Sequence, residues 1–133
     1  MKIPLLDTDT ISFYLKGNVN VTGQMDEAYQ RDGFLHVSVI TYYEIMNGLL
    51  FKNARKQLES FQELVLSCQI IPLDTAIADL AAEIYADLRR NNQMIGHTDV
   101  LIGATAIHQN MTIITNNQAH FSRIPGLDLD NWV

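Results

Sequence analysis

The sequence predicts an α/β fold with a central, mostly parallel sheet covered by helices on both faces. Two observations lead there. Short apolar runs recur along the chain, at residues 2–7, in CQIIPL at 68–73 and in TIIT at 112–115. Between them lie longer stretches whose apolar residues fall at helical spacing. Strands buried on both faces lose the alternation of a half-exposed strand, and helices supply the cover.

The elements follow in order. Residues 2–7 read as a buried strand. Thr8 to Leu15 reads as a helix stopped by Gly17, and Val19 to Gln30 as a second, ended by the Asp32-Gly33 turn. The β-branched, alternating FLHVSVI predicts a strand at 34–38. A helix then starts near Thr41 and runs past Gly48. Asn53 to Leu66 is helical, with Leu58, Phe61, Leu64 and Val65 at core spacing. CQIIPL reads as another buried strand, ended by Pro72. Asp74 or Thr75 caps a long helix whose stripe is Ile77, Leu80, Ala81, Ile84, Tyr85 and Leu88. Residues 91–97 form a polar loop, and Asp99 to His108 a helix of small and apolar residues. TIIT is a further buried strand, and LDLDNWV adds an edge strand. No linker, repeat or low-complexity stretch divides the 133 residues, so one domain is expected.

Composition excludes several classes. No apolar run is long enough to span a membrane. An Asp arrives by residue 7, leaving no room for a secretory apolar region. Cys68 has no partner for a disulfide and is expected to be a buried thiol, which suits a reducing cytoplasm. The net charge of −6 argues against a whole-surface nucleic-acid binder, but not against an enzyme that holds RNA locally.

In parallel α/β sheets, ligands bind beyond the carboxyl ends of the strands. Four strand ends carry candidates: Asp7 and Asp9; Glu44; Asp99; and Asn116 with Asn117. Each has a plain structural explanation. Asp7 or Asp9 can cap the next helix, and Thr41-x-x-Glu44 has the form of a capping box. Asp99 suits a helix first turn, and the Asn pair suits a turn. The functional reading rests on their conjunction. Carboxylates gathered at one sheet edge repel one another, and a hard divalent cation with oxygen ligands removes that repulsion.

LLDTDTI also matches the D-x-D-x-T pattern of haloacid-dehalogenase-like phosphatases, with Asp7 as nucleophile and Asp9 as acid/base. That chemistry needs a downstream Lys, and the last lysine here is Lys56. The reading is set aside.

A second resemblance runs through residues 3–132. LLDTDTIS resembles the first strand of PIN-domain ribonucleases, SVITYYEIMNGLL their second motif, GHTDVLIGATAI their third, and TIITNNQAHFSRIPGLDLDNW their C-terminal segment. The likeness is greatest to VapC-type toxins of bacterial toxin–antitoxin pairs. It implies a single PIN domain over residues 1–133, a three-layer α/β/α sandwich. It implies a metal-dependent endoribonuclease in which Asp7, Glu44 and Asp99 hold Mg²⁺ or Mn²⁺. Asn117 stands where many relatives have Asp, which leaves a second metal in doubt. Asp9 either lends the missing charge or caps its helix. An antitoxin, RNA, and a homodimer or toxin–antitoxin hetero-oligomer are the expected partners. The antitoxin tail is expected over the site, in a groove of apolar side chains from the early helices. The alternative is a PIN-like binding module with little or no catalysis.

Other polar residues carry open readings. Thr115 bonds a neighbouring carboxylate, a phosphate or only backbone, and Ser38 is in the same position. Arg89 and Arg90 suit a helix C-terminus and are candidates to meet phosphate. His97 is an exposed loop residue or an RNA contact. His36, His108 and His120 lack ligand spacing and receive no role. Tyr42 and Tyr43 are expected in the core or at a partner contact.

Overall fold

A computed structural model describes residues 2–133. Strand β1 (Ile3–Leu6) leads directly into helix α1 (Thr8–Leu15), followed by α2 (Val19–Asp32). Gly33 ends α2 with a left-handed φ of 82°, a conformation that costs glycine nothing. Strand β2 (Leu35–Ser38) follows, then α3 (Val39–Lys52), α4 (Arg55–Val65), β3 (Cys68–Ile71) and α5 (Thr75–Arg90). The last third holds α6 (His97–His108), β4 (Met111–Ile114), the short α7 (Gln118–Phe121) and β5 (Asp128–Asp130).

All three strand pairings are parallel: β1 with β4, β4 with β5, and β2 with β3. The strands β5-β4-β1 form one ladder and β2-β3 another, with β1 packed beside β2. The register sets Leu5 opposite Ile113 and Leu6 opposite Ile114. Alternate side chains point to opposite faces of a sheet. Leu5 and Ile113 accordingly join one core with Ile77, Leu88 and Ile102, under α5 and α6. Leu6 and Ile114 join the other, with Ile11, Met25, Ile45 and Phe61, under α1 to α4. Two apolar cores on two faces of one sheet make the three-layer sandwich.

Helix α6 explains its own composition. Val100, Ile102, Gly103, Ala104, Thr105 and Ala106 are all buried, so small side chains let its neighbours close on it from several sides. Asp74 caps α5, its side chain accepting from the Ile77 amide at 2.9 Å.

Three local expectations are corrected. CQII is a half-buried edge strand rather than a buried one, because only β2 pairs with it. Cys68 is accordingly half-buried; its thiol donates to the Leu64 carbonyl at 3.4 Å, and burial pushes its pKa up to about 11. Helix α3 begins at Val39, with Ser38 as its cap accepting from the Thr41 amide at 3.1 Å. The capping box is therefore not Thr41-x-x-Glu44, and Glu44 is free for another partner. The β-branched Val39 and Ile40 disguised this start, since packing overrides their low helix propensity. The short α7 carries no sequence signal that the expectations used.

Candidate active site

Asp7, Asp9, Glu44 and Asp99 line a single cavity of about 500 Å³, together with Thr8, Ser12, Phe13, Lys16, Asn116 and Asn117. It lies beyond the carboxyl ends of β1 and β4. Four segments build it: the β1–α1 junction, α3, the first turn of α6, and the residues after β4.

Asp7 is the deepest of the acids, only 5% exposed. It occupies the N-cap position of α1, yet its side chain makes no capping hydrogen bond. Its amide instead donates to the Ile114 carbonyl at 3.0 Å, extending the β1–β4 pairing by one residue. Its carboxyl is raised from 3.8 to about 7, first by burial and then by the charges of Asp9 and Asp99. The Thr8 amide and the Thr115 hydroxyl pull in the other direction and do not offset this.

Thr115 is fully buried between two acids. Its hydroxyl has one proton to serve Asp7 Oδ2 at 2.9 Å and Asp9 Oδ1 at 3.2 Å, while it accepts from the Asn117 amide at 3.0 Å. Asp9 does not cap the helix with its side chain; Oδ2 accepts from the Asn116 amide at 3.1 Å. It thereby ties α1 to the chain leaving β4. Thr8, which the sequence reading passed over, donates to Glu44 Oε1 at 2.7 Å and orients that side chain. Thr115→Val keeps the shape and removes the hydroxyl. We expect it to cost about 1–3 kcal/mol, because buried carboxyl oxygens lose their donor; denaturant unfolding in chelator measures it.

Asp99 sits in the first turn of α6, where the helix dipole favours it. His120 Nδ1 lies 3.4 Å from Asp99 Oδ2 and 3.4 Å from Asn117 Nδ2. His120 was given no role from sequence; α7 alone brings it here, and spacing gives no sign of it. Lys16, Ser12 and Phe13 were also missed, although they follow Asp9 at helical spacing.

Other candidates lie elsewhere. The Ser38 hydroxyl is used as the α3 cap. Arg89 lines a separate, apolar cleft between α5 and α6, with its guanidinium 6.0 Å from the Tyr85 ring centroid. His97 stacks on the same ring at 4.3 Å and lines the same cleft. Tyr42 packs on Phe61 with centroids 5.8 Å apart, whereas Tyr43 is exposed.

The cavity offers a divalent cation only oxygen donors of the hard type, from four carboxylates and two carboxamides. Among the described residues, no three Asp, Glu, His or Cys side chains converge into a ready-made ion cage. Such a wall suits a small cation that keeps part of its water shell, held by one or two carboxylates directly. The donor set therefore fits, with Asp7 feeling the charge of Asp9 most and that of Asp99 less, and Glu44 and Asn117 lining the same cavity.

Comparison with known proteins agrees with the architecture. The PIN domain family matches residues 5–127. "Ribonuclease VapC10" of Mycobacterium tuberculosis is 31% identical over 117 residues, covering 88% of this chain and 84% of that protein. "Ribonuclease VapC2" of Rickettsia felis is 28% identical over 98% of both chains. Among solved structures, the DNA-bound VapBC of Salmonella typhimurium superposes with a TM-score of 0.90 at 26% identity, covering 100% of each chain. VapBC2 of Rickettsia felis, bound to a promoter DNA fragment, gives 0.89 at 25% identity over 98% of each. No helix among the described residues is long and apolar enough to cross a membrane. With the match spanning nearly every element described above, and VapC proteins among the relatives similar along nearly its full length, the chain belongs to the PIN-domain family.

Proposed function

We propose that this protein is a metal-dependent endoribonuclease toxin, hydrolysing RNA phosphodiester bonds at the cavity lined by Asp7, Glu44 and Asp99. The observation that carries it is the convergence of acids from three separate segments on one cavity, with Asp7 pushed up to about 7 by burial and like charge. The names of the VapC relatives support the ribonuclease class.

When bound, Mg²⁺ or Mn²⁺ would offset the carboxylate charge, polarise the phosphate and make water a stronger nucleophile. The chain's own residues do the rest. Asp7, Asp9, Glu44 and Asp99 together give the site its negative potential. Thr8 holds Glu44, and Thr115 with the Asn116 amide holds Asp9, so none of these carboxylates has to reorganise as the reaction proceeds. Asp7 gives up its proton readily near neutrality and so exchanges it for a cation at little cost. Asn117 supplies an oxygen without charge. A cognate antitoxin is the proposed protein partner, by analogy with the VapBC complexes that share the fold.

The test is cleavage of a mixed RNA pool by purified, antitoxin-free protein. Cutting is expected with Mg²⁺ or Mn²⁺, is lost in chelator and returns when metal is restored. A folded, partner-free protein that cuts no RNA with either ion would favour a binding module instead.

A further inference from the structure

We propose that the cavity-facing side of α1, with the Lys16 that follows it, is the seat for the RNA strand, Lys16 holding a phosphate that flanks the scissile one and Phe13 contacting the adjoining base. The inference rests on the nuclease reading and deepens it. Asp9, Ser12 and Phe13 fall at positions i, i+3 and i+4 of α1, and Lys16, seven residues on from Asp9, caps the C-terminal end of the same helix, which keeps the four on one side. All four line the acid cavity.

Charge makes Lys16 distinctive. Four carboxylates line this cavity and Lys16 is the one Lys or Arg among its lining residues. An RNA strand brings a negative charge with every nucleotide. A cation at the acids answers for the phosphate being cut and for none of its neighbours. Lys16 is exposed, and no ion pair among the described residues ties it down. It stands about 10 Å along the helix axis from Asp9, seven residues at 1.5 Å each, so the phosphate it reaches is not the one at the acids. Phe13 is half-buried, with part of its ring against the core and part facing the cavity. Aromatic rings in RNA-binding clefts stack on unpaired bases, so the strand seated here is single-stranded.

The experiment separates binding from cutting. A short fluorescein-labelled RNA of randomised sequence is titrated by anisotropy into the Asp99→Asn protein, alone and with Lys16→Ala, Lys16→Arg or Phe13→Leu added. Lys16→Ala is expected to weaken binding about tenfold and to lower the salt slope by about 0.7, as for one lost phosphate contact on a single strand. Lys16→Arg restores most of both. Phe13→Leu keeps the apolar packing and is expected to weaken binding about fivefold or more through lost stacking. With Asp99 intact, Lys16→Ala raises KM and leaves kcat within about twofold, since the contact is made equally in ground and transition states. Melting temperatures check that each variant is folded; a merely structural Lys16, serving the helix C-terminus, would shift that temperature and leave the salt slope unchanged.

Unchanged affinity and salt slope in Lys16→Ala overturn the inference while leaving the nuclease reading intact if the parent protein cuts. RNA binding that depends on Lys16, in a protein that cuts nothing, supports the seat and sinks the nuclease.

Discussion

Asp99→Asn is expected to lower RNA cutting by about a thousandfold or more and to leave the fold intact. The substitution removes one charge from the cavity and changes little else. Among the described residues, the one side-chain hydrogen-bond partner of Asp99 is His120, at 3.4 Å, and its side chain is 22% exposed. The lost helix-dipole term is about 0.3–1 kcal/mol, and relief of repulsion with Asp7 works against it. Stability should therefore hold within about 1 kcal/mol, which is the usual range for a substitution that breaks no buried contact. Catalysis has no such compensation. A ligand that holds a Lewis acid contributes several kcal/mol of transition-state stabilisation, and each 1.36 kcal/mol is about a factor of ten in rate. Initial rates on the mixed RNA pool, beside melting curves of the same preparations, measure both quantities. An Asp99→Asn protein that cuts at the parent rate would mean that RNA is cleaved somewhere other than the acid cavity.

Asp7→Asn should give a protein that is inactive and more stable. In the absence of metal, Asp7 titrates at about 7 when folded, against 3.8 ordinarily. Between those values the folded chain keeps a proton that the unfolded chain has released. Stability then falls as pH rises, because the native state binds more protons than the unfolded one. The penalty is absent below about pH 4, grows up to about pH 7 and is constant above it. The size of the shift corresponds to about 4 kcal/mol at full development. Asn cannot ionise, so the variant should escape the penalty and melt higher at neutral pH, on the order of 10 °C for a gain of about 2–4 kcal/mol. Thermal melts in chelator across that pH range test this. A parent protein whose stability is flat from pH 4 to 7 would contradict it. Adding Mg²⁺ should raise the melting temperature of the parent more than that of the variant, since only the parent offers a charge at Asp7.

The layout of the sheet and the acids at its edge were legible in the sequence because one rule connects them. Apolar runs signal parallel strands, and parallel strands put ligands beyond their carboxyl ends. Position made Asp7, Asp9, Glu44, Asp99, Asn116 and Asn117 candidates, the likeness to PIN-domain ribonucleases singled out Asp7, Glu44 and Asp99, and the structure brings all three to one cavity. What holds them was not legible. Thr8 reaches Glu44 across 36 positions and Thr115 reaches Asp7 across 108, and a hydroxyl gives no sign in sequence of which long-range partner it will find. His120 depends on a helix of four residues, too short to show a period. The exposed edge of β3 was misread as buried because CQII resembles a central strand in composition, and only pairing tells the two apart. Arg89 was grouped with the site on charge, but the face of α5 that carries it looks into a different cleft.

The pairing of β1 with β4 has a consequence in time. The first strand of the chain has no hydrogen-bonded partner until residues 111–114 have been synthesised. The hydroxyl that steadies Asp7 and Asp9 comes later still, at residue 115. Contacts so distant along the chain are slow to close, because the intervening loop must first surrender its freedom. A nascent chain shorter than this lacks Thr115 and the pairing that β4 provides, and one shorter than 99 residues lacks Asp99 as well. The cavity therefore cannot be complete before residue 115 has been added, and any activity it has is expected to wait for that point.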